Sequence, residues 1–311
     1  MRFQHKMGSL VGDTPMIRLD SLPKEHGCLG DIVMKLEYFN PAGSIKDRIA
    51  KAMVEDAEYR KLLKPKSGQI IVESTSGNTG VGLAFIAAIK GYKLVITMPE
   101  SMSEERKNLL KGMGAELVLT PAAGGMDAAG EEAARIVRDT PGAVTLGQFS
   151  NPANVKAHYT GTGPEMWQQC GSKIDIFVTG IGTGGTVSGV GRYLKECSKT
   201  VKVYGVEPAE SPLLSEGRFG PHLIQGIGAN FVPEILDRSV MDGVIKVPGL
   251  KAIETARQLI KQEGIICGIS SGANAYAAMQ LSKLPENRGK RIACIACDTA
   301  ERYLSTKLFV D

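Results

Sequence analysis

The chain has 311 residues, of which 43% are hydrophobic and 23% charged, and its formal net charge is +4. This length suits one large or two medium α/β domains, and its interspersed charges, without a basic block, argue against nucleic acid or an anionic membrane as a partner. No stretch approaches the roughly 18 apolar residues of a membrane span, and the first ten residues lack the apolar core of a signal peptide.

Short β-branched runs alternate with helical stretches along the chain, which predicts parallel sheets joined by crossover helices. Strands are predicted at residues 69–73, 93–97, 116–120, 143–146, 175–179, 201–207 and 291–297. Helices are predicted at 78–91, 104–113, 126–138, 187–196, 250–263 and 271–283, the second of them after a capping-box pattern at 101–104. A turn-rich segment at 148–152 is the best candidate for a domain boundary, and each half carries one glycine-rich strand-to-helix turn. We therefore expect two α/β domains that face a shared cleft.

Lys46 follows a tight turn in the segment Asn-Pro-Ala-Gly-Ser-Ile-Lys-Asp-Arg at residues 40–48 and opens a predicted helix. A lysine at a helix N-terminus opposes the helix dipole, so its charged form is disfavoured there. A lysine inclined to be neutral can form a Schiff base with a carbonyl group. By position alone, a solvent-facing lysine is the simpler interpretation.

The turn at residues 74–80, Ser-Thr-Ser-Gly-Asn-Thr-Gly, joins a predicted strand to a predicted helix. It offers more hydroxyls, amide groups and free N–H groups than one helix cap needs. Such a turn can bind a carboxylate, for example that of an amino acid. The alternative is a plain helix cap supplied by Ser76 or Asn78.

The turn at residues 180–186, Gly-Ile-Gly-Thr-Gly-Gly-Thr, follows the predicted strand at 175–179 and also precedes a helix. Main-chain N–H groups converge at such a helix N-terminus, where the dipole favours an anion. The glycines also satisfy the G-x-G-x-x-G pattern of nicotinamide dinucleotide sites, and Glu207 ends the next strand. The hydroxyls of Thr183 and Thr186 favour a terminal phosphate over a bridging pyrophosphate, but both interpretations, and a purely structural turn, stay open here.

Six cysteines in a chain of this size favour a reducing compartment over a disulfide scaffold. Two of them, Cys294 and Cys297, form a C-x-x-C pattern inside a run predicted to be a buried strand. Residues three apart on a strand point to opposite faces, and no second pair completes a zinc site. We therefore expect buried packing at this pair, and no metal site.

A series of short motifs, in the family's own order, resembles the pyridoxal-phosphate (PLP)-dependent cysteine synthase and cystathionine β-synthase family. The motifs lie at residues 12–15, 35–37, 40–48, 75–79, 98–103, 148–152, 162–165, 182–186, 225–228, 268–272 and 301–306. The resemblance implies a fold type II, tryptophan synthase β-like architecture of two three-layer α/β domains with mainly parallel sheets. In it, residues 35–147 form a smaller, mobile domain with the substrate-carboxylate loop, and residues 1–34 join 148–311 in a larger domain with the phosphate loop.

The resemblance also implies a set of site residues. Lys46 would bind PLP covalently and act as the catalytic base. The phosphate would lie against Gly182, Thr183, Gly184, Gly185 and Thr186; Asn78 would hydrogen-bond the ring hydroxyl and Ser270 the ring nitrogen; Thr75, Ser76, Thr79 and Gln148 would grip the substrate carboxylate. The implied activity converts O-acetyl-L-serine and sulfide to L-cysteine and acetate through an α-aminoacrylate intermediate. Family members are usually homodimers, and some bind serine acetyltransferase; with the cysteine usage noted above, we expect a cytoplasmic location.

Departures from the family pattern leave the reaction partners open. The segment at 297–300 resembles a thiosulfate-using B isozyme, whereas 220–228 resembles an A isozyme, and Asn230 stands where cystathionine synthases often carry Asp. The main alternatives are therefore a cystathionine β-synthase and a cysteine-desulfurating, H₂S-producing enzyme; a remote one is an NAD-dependent oxidoreductase. Of the arginines near the motifs, only Arg218 is placed where a loop could bring it to a phosphate, and its flanking glycines fit a plain surface loop. We expect acetate as the leaving group.

Overall fold

The computed structural model describes residues 6–310, and this range contains nine strands. They are β1 (Met16–Arg18), β2 (Asp31–Leu36), β3 (Ile70–Ser74), β4 (Lys93–Pro99), β5 (Glu116–Thr120), β6 (Ile176–Gly180), β7 (Lys202–Pro208), β8 (Gly243–Val247) and β9 (Arg291–Ala296). Residues 1–5, part of the segment predicted to lack a signal peptide, lie outside the described residues, as does residue 311.

Helices follow most of the strands. The α-helices are α1 (Ser21–Glu25), α2 (Lys46–Tyr59), α3 (Asn78–Lys90), α4 (Glu104–Gly112), α5 (Gly125–Asp139), α6 (Pro152–Ala157), α7 (Gly163–Gln169), α8 (Gly185–Cys197), α9 (Leu213–Glu216), α10 (Gly249–Glu263) and α11 (Ile269–Ser282). A π-helical turn (His158–Thr162) links α6 to α7, and short 3-10 turns lie at Met7–Leu10, Glu37–Phe39, Ala122–Gly124, Arg238–Val240, Pro285–Asn287 and Ala300–Tyr303.

The chain divides into two compact units. The smaller comprises the described residues up to Val11 together with Asn40–Asn154, and the larger comprises Gly12–Phe39 and the described residues from Val155 onward. We expected a boundary near residue 35 and another near 147, with residues 1–34 in the larger domain. The observed limits differ because β2 pairs along its whole length with β9 of the larger unit, while the turn at Met7–Leu10 packs against α3 of the smaller one.

The smaller unit is built on a three-stranded parallel sheet in the order β3-β4-β5. Its central strand is almost wholly buried, and α3, α4 and α5 pack against the sheet. The segment predicted as a strand at 143–146 contributes only a parallel bridge between Val144 and Ile71, beside β3. A small apolar core of Val72, Val95 and Ala133 joins the sheet to α5.

The larger unit has a six-stranded sheet in the order β1-β2-β9-β6-β7-β8. Every pairing is parallel except that of the short edge strand β1 with β2. Helix α11 packs on β9, β6 and β2, α10 packs on α11, and α8 packs on β6 and β7. A continuous apolar core, with Met34 and Cys294 paired across β2 and β9, lies between the sheet and α11. The α/β fold with mainly parallel sheets is therefore confirmed.

Most predicted elements are present within a residue or two of their expected limits. Helix α4 begins at Glu104 with Ser103 at the N-cap, so the capping-box pattern at 101–104 was assigned two residues too early. In the part of the chain that the structure describes, every helix is too short or too polar to cross a membrane.

Candidate active site

Lys46 is the first residue of α2, as predicted from its place after the tight turn. Its main-chain N–H donates to the Ser44 hydroxyl oxygen at 3.2 Å, and its side chain is half-buried. The next residue, Asp47, is buried, and its carboxylate accepts a hydrogen bond from the main-chain N–H of Ala42 at 2.6 Å. This turn therefore sets Lys46 at the helix N-terminus, where the dipole disfavours a second positive charge.

The 74–80 turn connects β3 to α3, and Asn78 opens the helix. The Thr75 N–H donates to the carbonyl oxygen of Thr97 on β4 at 3.2 Å, and the Thr75 hydroxyl accepts from the Gly77 N–H at 3.3 Å. These contacts order the start of the turn. The Ser76 hydroxyl and the side-chain amide of Asn78, the first residue of the 13-residue helix α3, add polar groups at this helix N-terminus, which is a favourable place for a carboxylate.

Two of the predicted substrate residues, Thr79 and Gln148, are brought together although 69 positions separate them. The buried Thr79 hydroxyl donates to the side-chain oxygen of Gln148 at 2.6 Å. The main-chain oxygen of Gln148 accepts from the Asn154 side-chain amide at 2.8 Å. Because Thr79 uses the amide oxygen of Gln148, the side-chain N–H groups of Gln148 form its donor side, as binding of an anion requires.

Glu73, near the end of β3, is only 3% exposed and was not predicted as a functional residue. Its Oε2 accepts hydrogen bonds from the main-chain N–H groups of Leu146 (3.1 Å) and Gly147 (3.2 Å) and from the Thr145 hydroxyl (3.3 Å). Its Oε1 accepts from the main-chain N–H of Gln148 at 3.2 Å. Burial raises the pKa of the Glu73 carboxyl, although these hydrogen bonds act in the opposite direction.

Arg106, on α4, contacts the 74–80 turn. Its guanidinium donates to the carbonyl oxygen of Ser76 at 2.5 Å. Arg106 is half-buried, so it is not part of a fully solvated charged surface, and it fixes the position of the turn. A charge-assisted hydrogen bond of this kind is roughly twice as strong as a neutral one.

The 180–186 turn connects β6 to α8 in the larger unit. Gly184, the N-cap of α8, has φ = 83°, a conformation that glycine adopts without strain. At Gly182 a Cβ atom would lie 2.4 Å from the carbonyl oxygen of Gly226, so only glycine fits there. Neighbouring main-chain bonds brace the turn, since the Ile181 N–H donates to Val206 (2.9 Å) and the Ile181 carbonyl accepts from the Gly228 N–H (3.0 Å).

His158 supports the last residue of the same turn. The side chain is buried, its Nε2 lies 3.3 Å from the Thr186 hydroxyl, and its Nδ1 lies 3.0 Å from the Thr162 hydroxyl. Each of the two ring nitrogens thus contacts one threonine hydroxyl, which can donate or accept a hydrogen bond. His158 therefore links the π-helical turn to Thr186.

Ser270 is the second residue of α11 and is almost fully buried. The preceding Gly268 donates its N–H to the main-chain oxygen of Asp298 at 3.1 Å. The Asp298 carboxylate in turn accepts from the Tyr303 hydroxyl at 2.6 Å. The N-terminus of α11 is thus held against the segment that follows β9, which limits the positions open to Ser270.

Glu207 is the residue that would bind the ribose in a dinucleotide site, but its carboxylate is already hydrogen-bonded within the protein. It is buried and accepts hydrogen bonds from the main-chain N–H groups of Leu214 (2.8 Å) and Ser215 (3.2 Å) and from the Ser215 hydroxyl. It therefore caps α9 instead of offering its carboxylate to a ribose. This geometry removes the main sequence argument for a nicotinamide site.

All six cysteines are free thiols. Cys294 is buried on β9, whereas Cys297 follows the strand, is half-buried and donates its main-chain N–H to the Ser271 hydroxyl at 2.8 Å. Burial raises the pKa of the Cys267 and Cys294 thiols. Among residues 6–310, no group of three or more His, Cys, Asp or Glu side chains is placed to hold a metal ion.

Sequence reasoning did not identify Glu73, Arg106 or His158 as parts of these turns. Signals for two of them were present. Glu73 is a charged residue in an otherwise apolar strand immediately before a polar turn, and His158 is one of only four histidines. Nothing local distinguishes Arg106 from the charged residues beside it.

Comparison with known proteins adds independent information. Residues 8–298 match a family model described as "Pyridoxal-phosphate dependent enzyme". The chain is 48% identical over 301 residues to a cysteine synthase of Staphylococcus aureus, a match that covers 96% of this chain and 95% of that protein. A crystal structure of cysteine synthase from Entamoeba histolytica superposes with a TM-score of 0.95 at 41% identity, covering 99% and 91% of the two chains. A hydrogen sulfide-producing enzyme from Fusobacterium nucleatum gives 0.92 at 40% identity, covering 97% and 100%.

Proposed function

The chain belongs to the family of pyridoxal-phosphate-dependent enzymes, and from that premise we propose that it is a cysteine synthase. In this reaction O-acetyl-L-serine and sulfide give L-cysteine and acetate. The observation that carries the proposal is the 48% identity to a cysteine synthase over 96% of the chain, a match long enough to include both glycine-rich turns. PLP is its cofactor.

The described residues of each unit suit this cofactor. In the larger unit, the N-terminus of α8 and the close-packed glycines of the 180–186 turn leave room for a phosphate dianion against main-chain N–H groups. In the smaller unit, Lys46 supplies an amine at the start of α2. When bound, PLP withdraws electrons from the Cα of an attached amino acid, which makes the Cα proton acidic and allows a β-substituent to leave.

Lys46 would hold the cofactor and, once the substrate amine has displaced it, would take the Cα proton as a general base. Asn78 would donate a hydrogen bond to the ring hydroxyl. Ser270 would meet the ring nitrogen with a neutral hydroxyl, which does not stabilise a protonated ring as a carboxylate would. This choice suits loss of a β-substituent better than racemisation or transamination, which need a stronger electron sink.

The 74–80 turn and Gln148 would bind the substrate carboxylate. Thr75 and Ser76 would contribute hydroxyl and main-chain donors, Thr79 its main-chain N–H, and Gln148 its side-chain amide. With Thr79 bonded to the amide oxygen of Gln148, the amide hydrogens are the part that an anion can use. A carboxylate bound there fixes the orientation of Cα and Cβ before the proton is removed and before sulfide adds at Cβ.

A second candidate function is H₂S production from cysteine. Its support is the 40% identity to the hydrogen sulfide-producing enzyme, together with Asn230, an exposed residue at the position that differs from the family pattern. The same turns would bind cysteine by its carboxylate, so the two functions differ in the leaving group and in the nucleophile. Cystathionine synthesis from homocysteine belongs to the same alternative.

Acetate is the leaving group that the arginine geometry favours. A phosphate leaving group would need an arginine free to grip it. The Arg218 guanidinium instead pairs with Glu216 at 2.8 Å and is 61% exposed, as expected for a surface loop. O-Acetylserine should therefore be preferred over O-phosphoserine.

We also propose that the protein is a cytoplasmic homodimer. The free thiols support a reducing compartment. Exposed apolar side chains at Met7 (52%) and Leu10 (44%) in the smaller unit support an interface with a second copy.

Association with serine acetyltransferase rests on the family resemblance alone. Sedimentation of the purified protein, alone and with that enzyme, tests both associations.

The test is a substrate panel with the purified protein and added PLP. Cysteine formation from O-acetylserine and sulfide should have the highest kcat/KM, and O-phosphoserine with sulfide a lower one. Serine with homocysteine, and cysteine alone assayed for H₂S, should be slower still. Faster H₂S release from cysteine than cysteine synthesis would replace the proposal with the second candidate, and a preference for O-phosphoserine that disappears in Arg218→Ala would overturn the acetate assignment.

A further inference from the structure

The buried carboxylate of Glu73 receives all four of its described hydrogen bonds from residues 145–148. The register is set upstream, where the Val72 N–H donates to the Val144 carbonyl (2.9 Å) and the Val144 N–H donates to the Ile70 carbonyl (3.0 Å). Beyond Val144, the N–H groups of this segment are not paired with carbonyl groups of β3. The Glu73 side chain accepts hydrogen bonds from the N–H groups of residues 146–148 instead.

A carboxylate suits this place because two oxygens accept several donors at once. Without Glu73, the N–H groups of Leu146, Gly147 and Gln148 would need other acceptors, and a buried N–H group left without an acceptor is destabilising. The arrangement therefore fixes the main chain of 145–148 against the end of β3. It does so beside the 74–80 turn, because Glu73 directly precedes that turn in sequence.

The same carboxylate is linked to a predicted substrate residue. Oε1 of Glu73 holds the main-chain N–H of Gln148, and the side-chain oxygen of Gln148 holds the Thr79 hydroxyl. Glu73 thus fixes the position of Gln148, and through it the contact with Thr79. A shift of the Gln148 main chain would therefore move the side-chain amide that contacts Thr79.

We propose that Glu73 is a positioning residue for the amino-acid substrate: it holds Gln148 against Thr79 and thereby sets the affinity for the substrate carboxylate. This inference rests on the proposed function, since it assumes that Gln148 and Thr79 bind that carboxylate. Glu73 touches neither substrate nor cofactor in this scheme, and it contributes nothing to the chemistry at Cα or Cβ.

Glu73→Gln is the most informative variant because it keeps the volume and one acceptor oxygen. In this variant the oxygen of the new glutamine side chain can replace Oε2 and accept from the same three donors. Its NH₂ group then replaces Oε1, and because this group is a donor it cannot accept a hydrogen bond from the Gln148 N–H. KM for O-acetylserine should rise about tenfold, whereas kcat at saturating substrate should stay within about twofold. Glu58→Gln is the matched control: Glu58 lies in the same unit and binds Lys90 and the Tyr92 hydroxyl, so KM should be unchanged.

A double-mutant cycle distinguishes positioning from a merely structural role. If Glu73 acts through Gln148, Glu73→Gln should change KM by no more than about twofold in a Gln148→Ala background. An equal effect in both backgrounds would overturn the inference, as would an unchanged KM in the single variant.

Hydrogen exchange gives a readout independent of turnover. In the holoenzyme without substrate, Glu73→Gln should speed amide exchange in a peptide covering 144–150 and leave a peptide covering 180–186 unchanged. Unchanged exchange at 144–150 would overturn the proposed tether. Failure of the proposed function is separate: wild-type protein that forms no cysteine from O-acetylserine would remove the catalytic premise, whereas wild-type activity with an unaltered Glu73→Gln KM removes only the role of Glu73.

Discussion

The 180–186 turn is held mainly by main-chain contacts with neighbouring segments, whereas the 74–80 turn depends more on side-chain contacts. In the first, main-chain bonds through Ile181 and the tight fit of Gly182 against Gly226 leave little freedom. In the second, Arg106 holds the carbonyl of Ser76, and Thr79 is tied to Gln148. Both turns lie between a parallel strand and a helix, so the difference comes from the residues around them and not from the fold.

The difference suits the two proposed ligands. A cofactor phosphate stays bound through many turnovers, and a turn held by main-chain contacts is a rigid platform for it. A substrate carboxylate enters and leaves in every turnover, and side-chain contacts allow its affinity to be tuned residue by residue. Changes in the first turn should therefore disrupt cofactor binding severely, and changes around the second should give graded effects on KM.

We expect the largest loss of activity from a change at Lys46, which lies in neither turn. Lys46→Ala removes the proposed base, so kcat for cysteine formation should fall about 100- to 10,000-fold. Lys51→Ala, on the same helix, is the control and should retain activity within about twofold. Steady-state assay of both variants with added PLP checks this, and substantial turnover by Lys46→Ala would assign the base elsewhere.

The next effect tests the rigid turn. Gly182→Ala places a Cβ atom against the Gly226 carbonyl oxygen, and relief of such overpacking costs about 1–3 kcal/mol. The dissociation constant of PLP should rise about tenfold or more, with KM for O-acetylserine nearly unchanged once the cofactor is saturating. Gly130→Ala, where a Cβ meets open space on α5, should change neither quantity. Titration of apoprotein with PLP measures the constant, and equal behaviour of the two variants would contradict the close fit.

A smaller effect tests the side-chain-held turn. Arg106→Met removes the charge-assisted bond to the Ser76 carbonyl but keeps much of the side-chain volume. KM for O-acetylserine should rise about fivefold, with no change in PLP affinity. Arg138→Met, an exposed arginine of the same unit, is the control. A raised PLP dissociation constant with an unaltered KM would reverse the roles assigned to the two turns.

The smallest effect concerns pH. Burial raises the pKa of Glu73 in the folded protein, so this group favours folding most below its ordinary pKa of about 4.3 and loses that contribution as pH rises through the raised value. Relative to Glu73→Gln, the wild type should therefore lose stability as pH rises through this window. Urea unfolding of both proteins between about pH 4 and pH 8 measures the difference, and a difference that grows in the opposite direction would contradict the sign.

The sequence predicted the two glycine-containing turns better than it predicted the residues that hold them in place, which are Glu73, Arg106 and His158. Residues 116–120 and the start of α2 at Lys46 were placed correctly because local periodicity and turn residues specify them. Strands β1, β2 and β8 were missed, since β1 and β8 are short edge strands and β2 shows no distinctive alternation. The predicted strand at 143–146 forms only one bridge, because Glu73 replaces the main-chain partner beyond Val144.

The roles of the residues that hold the turns could not be derived from the sequence, because their contacts join residues that are far apart along the chain. Glu73 can accept its hydrogen bonds only when β3 lies beside residues 145–148, which are more than 70 positions away in the sequence. Arg106 reaches Ser76 across 30 positions, through the packing of α4. Glu207 shows the reverse case: its place at the end of β7 suggested a dinucleotide site, but its carboxylate caps α9.

Borohydride reduction of the purified holoenzyme, followed by peptide mapping, shows which lysine binds PLP covalently. We expect a single pyridoxyl-modified peptide that contains Lys46. A modification on any other lysine, or an unmodified Lys46 in protein with bound PLP, would contradict it.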